Sequence, residues 1–183
     1  MSLSFILLAI AVLLTVLLII MYNRLVRHKF LVRESWSGVD VQLKRRTDLI
    51  PNLVDTIREY MKHERKLLNE VTELRAKSMA ARGVEKRGQA ENALSRSLAD
   101  LFAVAEAYPT LRANENFLNL QNQLGEIEEQ IQLARRYYNG TVRNLNILIE
   151  SFPSNIVAKM FHFKKRDYFE IEETDRSVPS TKI

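Results

Sequence analysis

The residues with chemical potential here are three histidines, several paired carboxylates and one run of cations, and spacing decides what each can do. His63 and Glu64 open the run HERKL, which begins like the zinc-binding pattern HExxH. Position 67 is Leu, so the second imidazole one helical turn on is missing and the ligand geometry fails. His28 and His162 are remote in sequence. The chain has no cysteine, which removes disulfides, thiolate metal ligands and a Cys nucleophile. Glu128-Glu129 and Glu172-Glu173 sit in charged segments, where nothing supplies the burial that drives two carboxylates apart in pKa. There is no GxSxG, GxxxxGK[ST] or GxGxxG. The expectation is no catalytic, metal or cofactor site, no small-molecule substrate, and a protein that is not an enzyme.

The cations are more informative. Lys44, Arg45 and Arg46 are consecutive. Helical spacing puts Lys44 and Arg45 on a polar face and Arg46 on the apolar stripe, where an unpaired guanidinium is costly. Arg46 then lies at the edge of the stripe or pairs with a carboxylate of another helix. The functional alternative makes Lys44, Arg45 and Arg46 contacts to a second subunit, an acidic partner or lipid phosphate. A second group, Arg24, Arg27, Lys29 and Arg33, occupies residues 22–33 without an acid and is the candidate lipid-headgroup contact.

The net charge is +5, and its placement argues against nucleic acid as partner. The first 21 residues are uncharged, and the last twenty hold five cations and five acids. Subtracting these and the four juxtamembrane cations leaves residues 34–163 at about +1, without the cationic face that phosphate neutralisation needs.

The elements that position these groups begin with SFILLAIAVLLTVLLIIM at 4–21. Leu3 to Met21 is roughly 28 Å as a helix at about 1.5 Å per residue, close to the ~30 Å of a hydrocarbon core. No basic start precedes it and bulky YNRLVRHK follows, so a retained transmembrane anchor fits better than a cleaved signal peptide. The cations that follow it place the N-terminus outside and the main domain in the cytoplasm by the positive-inside bias. The Lys44–Arg46 run would then stand about 35 Å from the span if helical, beyond the headgroups unless the chain bends.

From Trp36 to Leu74 apolar residues alternate by three and four, predicting one long helix, with a kink or local break at Pro51. ARGVEKRGQ at 81–89 reads as a loop or frayed turn. A second helix carries Leu94, Leu98, Leu101, Ala105 and Tyr108 and stops at Pro109. The third runs from Phe117 to Phe152, with Asn114 or Thr110 as its cap. Its asparagines, among them Asn119, Asn139 and Asn146, are either solvated or bonded to neighbouring segments. A short helix after Pro153 brings Ile156, Val157, Met160, Phe161 and Phe163 to close the bundle.

The resulting fold class is all-α: an N-terminal transmembrane helix leading into an antiparallel bundle of three long helices plus a short C-terminal helix. The organisation is an anchor at 1–21, a basic juxtamembrane segment at 22–34, a helical-bundle domain at 35–163 and a polar, mobile tail at 164–183.

Five stretches also carry a family resemblance: YNRLV (22–26), SWSGVDVQLKRRTDLIPNLVDTI (35–57), EAYPTLRANENFLNLQNQL (106–124), IQLARRYYNGTVRNLN (131–146) and ESFPSNIVA (150–158). Together they resemble the LemA family of bacterial single-pass membrane proteins over roughly residues 22–170. The resemblance implies an N-terminal span, a bundle of long helices, residence in the bacterial inner membrane, and no catalytic residues. Magnetosome-associated relatives imply work on membrane organisation, and a gene-neighbourhood link to a membrane metalloprotease implies envelope quality control. Two functions follow as expectations: a membrane scaffold that forms homo-oligomers and curves or organises lipid, or an adaptor for another membrane protein such as that protease.

Overall fold

The computed structural model describes residues 3–169. Six helices and no strand occur among them: α1 (Leu3–Arg58), α2 (Arg65–Ala80), α3 (Val84–Ala105), α4 (Pro109–Arg112), α5 (Glu115–Glu150) and α6 (Ser154–Met160). The chain is all-α, with one long apolar N-terminal helix leading into helices that bundle, as the spacing predicts. Two compact units divide it, one formed by residues 38–135 with 168–169, the other by 3–37 with 136–167.

In the first unit the expected Trp36–Leu74 helix is two helices. α1 ends at Arg58, residues 59–64 turn, and α2 runs back. The reversal is measurable. An unbroken helix would hold Thr47 and Arg75 about 42 Å apart, but Arg75 Nε donates to the Thr47 carbonyl at 2.6 Å. Met61 is fully buried at the corner. Spacing alone hides such a turn, because both arms of a helical hairpin bury one stripe and no Gly or Pro marks the corner.

Pro51 is no break, since α1 continues through it. Proline lacks the N–H that would bond the carbonyl four residues back, and that carbonyl belongs to Thr47. The Arg75 guanidinium supplies the missing donor.

The predicted loop at 81–89 shrinks to 81–83, where Gly83 takes φ +86°, a left-handed conformation that favours glycine. Gly88 is already buried inside α3. Tyr108-Pro109 does not end α3; the helix stops at Ala105, and Pro109 starts the single turn α4. Asn114 caps α5, its Oδ1 accepting the Phe117 N–H at 3.0 Å, while its Nδ2 donates to the Tyr60 hydroxyl at 3.0 Å. Tyr60 beside Asn114 and Arg46 beside Glu128 make α5 antiparallel to α1 in this unit. The core collects Ile50, Leu53 and Ile57 of α1, Leu68 and Val71 of α2, Leu94 and Leu101 of α3, and Phe117 and Leu124 of α5. Each such side chain contributes about 1.5–3 kcal/mol by leaving water.

The second unit buries Leu25 and Val32 of α1 with Tyr138, Val142, Leu145 and Leu148 of α5. Ser35 and Thr141 share a 2.8 Å hydrogen bond, and Trp36 meets Tyr138 edge-on at 5.4 Å between ring centroids. The expected closing cluster at the C-terminal end does not form. Val157 and Ala158 of α6 are buried, whereas Ile156, Met160 and Phe161 are exposed, as is Phe152 at the end of the third-helix stripe. A seven-residue helix has room for one buried face, and Ser154, Val157 and Ala158 fill it.

Of the tail expected over 164–183, the first residues are held. The Asn146 amide donates to the Arg166 carbonyl and accepts the Arg166 N–H, both at 2.9 Å. The Tyr138 hydroxyl donates to the Asp167 carbonyl at 3.0 Å. Residues 170–183 lie outside the described residues.

Candidate functional site

The cation run separates as helical spacing requires. Lys44 and Arg45 are exposed and locally engaged: Lys44 pairs with Asp48 one turn on at 3.1 Å, and Arg45 donates to Gln42 at 3.1 Å. Pairs of this kind contribute only tenths of a kcal/mol. Arg46 is 2% exposed and faces three partners from two other helices. Its Nη1 donates to Ser95 at 2.6 Å and to Glu128 at 2.5 Å, and its Nη2 is ion-paired with Glu91. Of the two readings of Arg46, pairing with carboxylates of other helices is what the geometry contains.

Glu91 is the centre that spacing analysis missed, with none of its side chain exposed. Besides Arg46 it accepts from the Ser78 hydroxyl, and Arg87 stands 3.3 Å away while also reaching Asp40 at 3.3 Å. The signal was available: Glu91 precedes Leu94, Leu98, Leu101 and Ala105 on one helical face, so an acid occupies a core register opposite a cation in a core register. Two charges removed from water this completely hold only because each satisfies the other and the remaining lone pairs find hydroxyls. Beside the hub lies a groove of about 410 Å³ whose walls are Leu98, Phe102 and Leu124, with Arg46, Ser95 and Glu128 at one end. The hub ties α1, α2, α3 and α5 together. Among the described residues no three His, Cys, Asp or Glu side chains cluster as metal ligands do. The His63-Glu64 pair has another use, since Glu64 accepts from the Tyr108 hydroxyl at 3.2 Å.

The second candidate group follows the apolar stretch of α1. None of that stretch is buried against the rest of the chain, and it is the one described helix long and apolar enough to cross a membrane. Arg24, Arg27, Lys29 and Arg33 are all exposed. Along α1 they stand roughly 4.5, 9, 12 and 18 Å beyond Met21, at about 1.5 Å per residue. The four spread over about 14 Å of α1, with no acid between Arg24 and Arg33. His28 registers the local positive field. Partial burial first, then Arg24 and Arg27, hold its imidazole below the ordinary pKa, so this segment gains no charge from it at neutral pH.

In the same unit Tyr138 is buried between Trp36 and the returning chain. Burial, then the nearby Asp167, push its hydroxyl up to about 12, and it stays a neutral donor at physiological pH.

With this geometry in place, residues 35–183 match the LemA family. The chain belongs to the LemA family. Its relatives include magnetosome protein MamQ 2 of Paramagnetospirillum magneticum, 25% identical over 179 residues, a match taking in 84% of this chain and 66% of that protein. Magnetosome protein MamQ of Magnetospirillum gryphiswaldense is 24% identical, over 83% of this chain and 65% of its own length. Protein LemA of Metamycoplasma hominis is 24% identical, covering 84% of this chain and 71% of that protein. The chain thus spans just under two thirds of the length of its MamQ relatives. The family match includes the Arg46–Glu91–Glu128 hub and leaves the apolar stretch and the four juxtamembrane cations outside it.

Proposed function

We propose that this LemA-family chain is a non-enzymatic, membrane-anchored helical scaffold that self-associates and organises or curves the bilayer. The observation that carries this reading is α1: apolar anchor, juxtamembrane cations and the start of the bundle are one unbroken helix, Leu3–Arg58. Anchoring aligns copies in one plane and raises their effective concentration, so weak lateral contacts suffice for assembly. The MamQ relatives, named as magnetosome proteins, are consistent with work on a membrane. Crosslinking in native membranes tests the scaffold: ladders of this chain alone are expected, and one dominant heterologous adduct would replace the reading by the adaptor. The adaptor draws on the exposed Tyr137 and Ile147 of α5, apolar surface available to another membrane protein.

The reading places the anchor in the inner membrane, with the N-terminus outside and the bundle in the cytoplasm, on the strength of the cations that follow the span. A reporter enzyme that works only in the periplasm, fused after Ile183, should be silent. Its activity would reverse the orientation.

A further inference from the structure

The exposed face of α6 is out of keeping with a helix that simply closes a soluble bundle. Ile156 and Met160 are each 54% exposed and stand about one helical turn apart on one side of α6, opposite the buried Val157 and Ala158, while Phe152, in the turn before α6, is 80% exposed. Where this face stands follows from the ladder of contacts in its own unit. Ser35 touches Thr141, and Ser35 is fourteen residues, or about 21 Å, along α1 from Met21. α5 runs the opposite way here, since Trp36 pairs with Tyr138 while Leu145 shares a groove with Lys29 and Phe30. Glu150, the last residue of α5, lies nine residues beyond Thr141, about 14 Å back toward the span. That leaves the end of α5 and the adjoining Phe152 roughly 7 Å from the level of Met21, within the headgroup layer of about 5–8 Å.

The chain leaving α6 gives the same level independently. Phe161 packs on Tyr22, the first residue after the apolar stretch, at 4.7 Å between centroids, and Phe163 meets the same ring at 6.0 Å. Tyrosine is enriched at a membrane–water boundary, which suits Tyr22 at this depth, and the two phenylalanines pack on its ring. The two phenylalanine rings line a groove of about 440 Å³ whose basic members include Lys29, Lys164 and Arg166, and no carboxylate is among its lining residues. Lys29 Nζ is 5.8 Å from the Phe163 ring centre, and the Asn146 amide fixes the Arg166 backbone, so two of the cations are positioned by the fold.

We propose that α6 is a second membrane contact: its Ile156–Met160 face, with Phe152 of the turn before it, enters the headgroup–acyl boundary, and the Lys29–Lys164–Arg166 groove seats the phosphate of an anionic phospholipid. The inference rests on residues 3–21 being a membrane anchor. A bilayer phosphate is the occupant because the groove opens where Tyr22 leaves the span, and three cations beside an apolar face suit a ligand that is anionic at one end and apolar at the other.

The test uses the full chain, which has no native cysteine. Phe152→Cys, Ile156→Cys and, as a water-facing control, Met79→Cys are each spin-labelled and placed in nanodiscs of phosphatidylcholine with one third phosphatidylglycerol. Labels at 152 and 156 should be relaxed more by oxygen than by a water-soluble nickel chelate, and the label at 79 the reverse; wet labels at all three positions overturn the proposal. Native mass spectrometry of retained lipid should show phosphatidylglycerol enriched over phosphatidylcholine. Enrichment should fall roughly fivefold for each of Lys29→Gln, Lys164→Gln and Arg166→Gln. Unchanged enrichment in all three variants overturns the headgroup groove, as does displacement of the lipid by millimolar inorganic phosphate. Flotation with vesicles separates the premises: a chain that fails to float loses the anchor and this contact together, whereas one that floats with wet labels loses only this contact.

Discussion

At the scale of single residues, Arg46 and Glu91 show how a buried charge is kept. Removing either takes from a buried charge its fully buried partner and leaves it only a secondary one, Glu128 for Arg46 or Arg87 for Glu91. Arg46→Met or Glu91→Leu alone should therefore cost about 3–5 kcal/mol of unfolding free energy. The double replacement should cost clearly less than the sum, because two apolar side chains leave no orphaned charge between them. Urea unfolding of the four proteins checks this, and additive losses would mean the pair is not a coupled unit. Arg46 was legible in the sequence because its register is apolar on both sides, from Val39 and Leu43 to Ile50 and Leu53. Glu91 was equally in register, but it stands next to a glycine-containing stretch that reads as loop. The surplus positive charge over residues 22–33 was legible by simple counting. That Lys29 joins Lys164 and Arg166 was not, since 135 residues separate Lys29 from Lys164 and it takes tertiary contacts such as the Asn146–Arg166 bonds to bring the chain back.

At the scale of elements, Pro51 and the α1–α2 corner teach opposite lessons. The visible breaker breaks nothing, and the real reversal at residues 59–64 carries no Gly or Pro. Period three-and-four spacing reports which face is buried, not whether the chain has doubled back, so a hairpin of two amphipathic arms looks like one long helix. α5 was readable nearly to the residue because Asn114 caps it and Pro153 follows it. The link between the two lessons is Arg75, which replaces the hydrogen bond that Pro51 deletes. Arg75→Leu should cost about 1–3 kcal/mol by leaving the Thr47 carbonyl without a donor. In a Pro51→Ala background, where the backbone N–H restored at position 51 can bond that carbonyl, the same substitution should cost much less. Thermal melts of the cycle decide it, and equal costs in both backgrounds would show that Arg75 stabilises α1 in some other way.

At the scale of the whole molecule, the sequence shows an apolar helix, a basic collar and a bundle of the LemA family, and it shows little of their use. The reason is physical. Scaffolds act through surfaces, and surface residues such as Tyr137 and Ile147 carry no spacing signature that separates a contact face from ordinary exposed side chains. α1 makes the anchor and the beginning of the bundle one helix, and the proposed contact at α6 would add lipid to what holds the chain at the membrane. Both features favour many copies standing parallel in one plane, and the central claim is that these copies bind one another. The direct measurement is the number of chains per particle for the full protein in mild detergent, followed across a wide concentration range by light scattering with correction for bound detergent. The account predicts particles holding two or more chains, growing in number or size with concentration. One chain per particle at every concentration would contradict it.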